Sequence, residues 1–205
     1  MSVVDISTST SVVTHTINVG DNPKRVVVSP NGEYVYVTNF GDASVSVIDT
    51  VTKLVTDTIT VGGNPIGIDI TPDGSEVYVA NNGSQDVSVI DTSTHITTGI
   101  GVTFLDAWDI VVSPNGVDVY VLQASWANTT SVLSTVTKTV TDSIGPFSDN
   151  PQCIAITNNG EKAYVTNFTE SKVIVIDTAT NTIALVTPTL GSNWNPVGCA
   201  IRSII

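Results

Sequence analysis

The residues of this chain best suited to chemistry are three tryptophans and the carboxylates beside them. Trp108 stands between Asp106 and Asp109 in Asp-Ala-Trp-Asp, Trp126 falls in the 123–130 stretch, and Trp194 precedes Asn195-Pro196. An indole face stacks on a sugar ring or an apolar side chain, and a neighbouring carboxylate can hold a hydroxyl or a cation. Asp106 and Asp109 read equally well as a turn cap and a satisfied interior carboxylate. Chemistries that need a nucleophile, a base and its orienter, or a shell of metal ligands, are poorly served. His15 and His95 are the only histidines and are far apart in the chain. Neither is expected to converge with a carboxylate as metal ligands or as an oriented base. No catalytic residue, metal site or cofactor is therefore expected. Cys153 and Cys199 follow Pro151 and Pro196 at spacings that differ by one residue.

The elements that must position these residues are four copies of one unit. In residues 22–63 four strand-like segments, 24–28, 34–38, 45–49 and 54–61, alternate with turn signals. Ser29-Pro30-Asn31-Gly32 closes the first; Pro presets φ and Gly accepts φ > 0. Asn39-Phe40-Gly41-Asp42, Thr50-Val51-Thr52-Lys53 and Gly62-Gly63 close the others. The markers recur at a constant step: Pro23 and Pro65, Gly32 and Gly74, Asn39 and Asn81, Asp49 and Asp91. A self-repeat of roughly 40–45 residues that reads as four strands marks a propeller blade. The runs Val-Val-Val, Tyr-Val-Tyr-Val and Val-Ser-Val-Ile are too continuous for strands with one wet face, and suit blades packed face to face.

The expectation is an all-β fold: one β-propeller domain over 1–205 with four-stranded antiparallel blades. Repeats run over 22–63, 64–105, 106–149 (degenerate) and 150–194. A fifth, closing blade would combine 1–21, which match third and fourth strands, with 195–205, which supply a first strand. That blade lacks a second strand. A short strand from the tail, a strand from another chain, or a larger ring would each answer for it. Self-assembly through the closing blade is thus one expectation, with segment 12–19 outermost and 197–201 innermost.

Strand alternation places second-to-third loops and fourth-to-first crossovers on one face. Trp108, Trp126 and Trp194 all fall there, with Phe40, Phe104, Phe147 and Phe168. This face is a candidate ligand surface; the alternative is that several aromatics plug the joints between blades. The recurring Asn39, Asn81 and Asn167, with Asp49, Asp91 and Asp177, are expected to bond backbone groups at turns, because a structural device recurs whereas a site is local. Cys153 and Cys199 sit in first strands of successive units with opposite parity, so a disulfide is geometrically reasonable; two buried thiols are the alternative.

The unit resembles the YVTN family of β-propeller repeats. The likeness rests on Asn-Pro, Ser-Pro-Asn-Gly, Tyr36-Val37-Thr38-Asn39 and Val47-Ile48-Asp49-Thr50, and covers nearly the whole chain. It implies propellers such as those of archaeal surface layers, with lactonase- and lyase-like relatives. Fold alone does not supply function.

Composition narrows the partners. Seven basic residues against 19 acidic ones give a formal charge of −12, the wrong sign for a phosphate backbone, so no nucleic-acid partner is expected. No apolar run could insert in a membrane as a helix. Charged residues make up only 13% of a chain rich in Thr, Ser, Asn and Val, a balance common in extracellular β proteins. Asn82, Asn128 and Asn167 open glycosylation sequons. Met1-Ser2-Val3-Val4-Asp5 enters a repeat without a secretory signal, so a cytoplasmic protein or a segment of something longer would fit; the second is favoured. The reading that results is a non-enzymatic extracellular or cell-surface module that binds carbohydrate or protein. The alternative is a lactonase- or lyase-like propeller enzyme with its site at the channel mouth.

Overall fold

A computed structural model describes residues 1–5, 12–124, 127–148, 150–188 and 198–200. A first sheet pairs β1 (Ser2–Asp5) with β2 (Val12–Thr16). Four four-stranded antiparallel sheets follow, each built from consecutive strands. The first holds β3 (Pro23–Val28), β4 (Tyr34–Asn39), β5 (Ser44–Asp49) and β6 (Val55–Thr60). The second holds β7 (Pro65–Ile70), β8 (Glu76–Asn81), β9 (Asp86–Asp91) and the short β10 (Thr97–Gly99). The third holds β11 (Ala107–Val112), β12 (Asp118–Gln123), β13 (Thr129–Ser134) and β14 (Val140–Ile144). The fourth holds β15 (Pro151–Ile156), β16 (Lys162–Asn167), β17 (Lys172–Asp177) and β18 (Thr182–Val186). No helix occurs among the described residues. We refer to the four complete sheets as blades 1 to 4.

The architecture is the expected all-β propeller. First strands of successive blades, β3, β7, β11 and β15, pack on one another along the axis. The turns explain why each unit folds alike. Gly32, Gly74, Gly116 and Gly160 all take φ of 72–75°, the left-handed region that a β-branched residue resists. Asn22, Asn64, Asp106 and Asn150 open each blade at φ of 51–67°, which short Asx side chains tolerate. Asp49 and Asp91 each accept backbone N–H groups two and three residues on, as Asp177 does from Ala179 and Thr180.

The core lies between blades. Ile68 and Ile70 of blade 2 pack with Tyr36, Val45 and Val47 of blade 1. Ile110 and Val112 of blade 3 pack with Tyr78 and Ala80 of blade 2, and Ile154 of blade 4 with Tyr120 and Leu122 of blade 3. Phe104 and Phe147 are plugs within two of these joints. The Tyr-Val-Thr-Asn signature thereby divides its labour. Tyr36 packs beneath the next blade, and Thr38 Oγ1 accepts from Arg25 N–H at 3.0 Å and donates to Ile66 C=O, one blade on, at 3.0 Å.

Asn39 corrects the expectation of a backbone bond. It is fully buried and donates to the hydroxyls of Ser44 and Ser46 at 3.0 and 2.9 Å. Asn81 likewise meets Asp86 and Ser88, since the tight second-to-third loop turns these side chains inward together. Asn167 does bond backbone, donating to Ser148 C=O and accepting from Glu170 N–H. Buried and so engaged, Asn167 is no glycan acceptor, which corrects its reading as a sequon.

The closing region is described in part. β1 and β2 pack against blade 1, where Met1 and Val3 join Ile17, Val37 and Ile48. Of the expected innermost strand at 197–201, residues 198–200 are described and form no strand, while 197 and 201, with the segment 189–196, lie outside the described residues.

Candidate functional site at the channel mouth

Every first strand is irregular at the same place. The register slips between Pro23 and Val26, Pro65 and Ile68, Ala107 and Asp109, and Pro151 and Cys153. A bulge re-aims side chains out of the ladder. The slip leaves Trp108 and Gln152 unpaired in blades 3 and 4, and at or beside it one column runs through the repeat: Arg25, Gly67, Asp109 and Cys153. The units differ in chemistry at these positions.

These residues meet around the axis. Arg25 of blade 1 reaches blade 3, where its guanidinium lies 3.8 Å from Asp109 Oδ2. Gly67 of the intervening blade supplies no side chain to obstruct it. Asp109 is buried, and its Oδ2 also accepts the N–H of Ile154 in blade 4 at 3.1 Å. Asp69 of blade 2 does the same one step along, accepting the N–H of Val112 in blade 3 at 2.7 Å. Each carboxylate thus satisfies an inner-strand N–H that the sheet itself leaves unpaired.

Burial dominates the electrostatics. Loss of solvent pushes Asp109 up to about 6, against the Arg25 charge and the Ile154 N–H, which pull it down. Asp69 is raised by the same burial, opposed by the N–H groups of Val112 and Ile70. A carboxyl near 6 can exchange a proton close to neutrality.

The residues singled out in the sequence separate into three groups. Trp108 is half-buried at the bulge next to Asp109. Asp106 has structural duties: it holds φ 55°, its carboxylate accepts from Asn82 Nδ2, and its carbonyl accepts from Ala124 N–H. Trp126 and Trp194 lie outside the described residues. Lys24 stands 4.9 Å over the Phe40 ring near the same mouth.

Cys153 and Cys199 form a disulfide with Cα atoms 5.8 Å apart, tying residues 198–200 to the first strand of blade 4. Asp109 lies within 4.8 Å of both sulfurs. Bonded to each other, the sulfurs offer no thiolate to a metal.

His95 corrects a second expectation. Its Nδ1 lies 2.6 Å from Asp57 Oδ2 in the outermost strand of blade 1. The two belong to different units, and the blade joint brings them together at the outer rim, away from the channel. Arg25, Gly67 and Asp69 went unrecognised in the sequence. Arg25 and Gly67 share a column with Asp109 and Cys153, and Asp69 shares one with Val27, Val111 and Ala155; both columns change chemistry from unit to unit.

A family model described as "Lactonase, 7-bladed beta-propeller" matches residues 3–99. Among solved structures the chain is similar to one from Kuenenia stuttgartiensis hydrazine synthase. The identity is 26% and the TM-score 0.76, covering 84% of this chain and 51% of that one. This chain therefore spans about half the length of that relative. No curated protein matches. Repeat, sheet order and both likenesses converge on one class: this chain is a β-propeller protein.

Proposed function

We propose that this propeller is a binding module of the cell surface or extracellular space, related to YVTN-repeat proteins. Its ligand enters at the channel mouth, over Trp108. The observation that carries this reading is the Arg25–Asp109 pair beside the half-buried indole. The polar groups there are already held by one another and by backbone, which suits orienting a ligand's hydroxyls while an aromatic face stacks on its ring. A disulfide suits an oxidising compartment. A glycan array followed by calorimetry on Trp108→Ala tests the reading. Binding that falls at least tenfold in the variant supports it; glycan binding indifferent to Trp108, or none, overturns it.

One observation favours a second reading, a lactonase-like hydrolase: the family match over 3–99, joined to a carboxyl at the mouth raised to about 6. Asp109 would then act as general base on a water attacking a lactone carbonyl, with Arg25 facing the developing oxyanion. Turnover of lactones between pH 5 and 8 that vanishes in a folded Asp109→Asn variant would establish it. Absent turnover leaves the binding reading in place.

A further inference from the structure

On the face opposite the channel mouth, the second-strand tyrosine of one blade meets a third-to-fourth turn of the next. Lys138 of blade 3 donates to the Tyr78 hydroxyl and to Glu76 of blade 2, with its Nζ 5.0 Å from the centre of the Tyr78 ring. Asn181 of blade 4 accepts from the Tyr120 hydroxyl of blade 3 at 3.2 Å. His95 holds the same turn position in blade 2, and all three share a left-handed φ of 51–57°. Yet His95 does not bond Tyr36. Its Nδ1 lies 2.6 Å from Asp57 in the outermost strand of blade 1. Asp57, paired across from Val47, draws it outward; in blade 2 the residue across from Val89 is Thr98, which offers Lys138 no such carboxylate.

Tyr36 thereby differs from its equivalents. Its ring is buried, and its hydroxyl has no hydrogen-bond partner among the described residues. It lines a hollow of about 390 Å³ with Asn31, Tyr34 and Asp73. The hollows at the two following joints measure about 240 and 280 Å³. The joints themselves are equally tight. A methyl group on Gly74 would stand 3.4 Å from Pro30, and one on Gly116 3.4 Å from Pro72. The extra room therefore comes from side chains. The carboxylate has also changed walls. Tyr34 takes the register position of Glu76, and Asp73 takes the turn position of Asn115. Thr71 and Ser75 donate three hydrogen bonds to Asp73 Oδ1 and hold the carboxyl down at about 2, so it is ionised. Its Oδ2 has no partner among the described residues.

We propose that this hollow binds the primary ammonium of an alkyl chain, in the place that Lys138 fills between blades 2 and 3. The ammonium would donate to the Tyr36 hydroxyl, face Asp73 Oδ2 and lay its stem along Tyr34. Tyrosine faces attract a cation beyond the charge of the carboxylate. The formal charge of −12 draws in cations of every kind. The free hydroxyl selects those that carry N–H donors. A free alkylamine and a lysine side chain of another protein share this chemistry. The hollow lies on the opposite face from the mouth, so the inference stands apart from the ligand proposed there.

The test titrates the full chain with butylammonium chloride and with Nα-acetyl-lysine methylamide, read by NMR chemical shifts. Saturable binding is expected. It should weaken at least tenfold in Tyr36→Phe, which keeps the ring and removes the acceptor, and in Asp73→Asn. The double variant Asp57→Thr/His95→Lys copies the next joint with Tyr36 in place, and should weaken binding as much by supplying an internal ammonium. Tyr120→Phe, two joints on, should leave binding unchanged, and butanol should not bind. Tighter binding of the lysine derivative assigns the site to lysine side chains, and equal or weaker binding assigns it to free amines; both support the proposal. No saturable binding of either amine would overturn it. So would binding indifferent to Tyr36→Phe, which marks only the general pull of an acidic chain on cations.

Discussion

Gly67 holds β7 so close to β11 that a methyl group on it would stand 2.7 Å from Asp109 Cα and 2.9 Å from Ile110 N. The neighbours are backbone and cannot swing aside. Gly67→Ala should therefore cost about 1–3 kcal/mol through overpacking. Gly99 has nothing within 4 Å of its virtual Cβ, so Gly99→Ala should stay within about 0.5 kcal/mol. Denaturant melts of the two variants check this; equal midpoints would contradict the close approach.

Asp109 gives stability a pH dependence of definite sign. Its carboxyl in the fold is raised from 3.8 to about 6. A raised group favours the fold while protonated, so its contribution is complete below about pH 4 and is lost as pH rises through about 6. The shift corresponds to about 3 kcal/mol. The turn carboxylates Asp49, Asp73 and Asp91 are lowered by their hydrogen bonds and act oppositely, losing stability as pH falls below their usual range. Asp109→Asn shares those groups, so they subtract out. The parent should gain on the variant between pH 7 and pH 4.5 in thermal melts.

The Cys153–Cys199 disulfide closes a loop of sequence separation 46. Loop-closure entropy of that size stabilises by about 2–4 kcal/mol. Cys199→Ser should lower the melting temperature, and a dithiol should lower the parent's to match while leaving the variant unchanged. A parent indifferent to reductant would contradict a structural role.

Asn39 is buried and donates to two hydroxyls, so Asn39→Ala should cost about 1–3 kcal/mol. Val51, 82% exposed on a turn, should tolerate Ala within about 0.5 kcal/mol. Urea titrations compare the pair directly.

Much of the fold was legible because turn chemistry and period coincide in every unit. Gly32, Asn22 and Asp49 each demand a local conformation that few other residues supply, and strand bounds follow from them to within about a residue. Contacts between units left no such trace. His95 and Asp57, or Arg25 and Asp109, are joined by blade stacking, which local spacing does not encode. The Ser84 hydroxyl accepts Gly63 N–H at 2.9 Å and donates to Asp86 at 2.7 Å. Trp108 was found from its residue type, whereas Asp69 escaped notice because its partner is a backbone N–H one blade away.

The Arg25–Asp109 contact skips one blade, and that gives it a meaning beyond charge. It forms here across a single intervening unit that carries glycine in the shared column. Duplicating blade 2 in place would keep every turn, plug and clasp intact, yet it would carry the two charges apart. The pair is therefore a ruler built into the axis. It measures the number of repeats between its ends, in a chain whose other rules would accept any number.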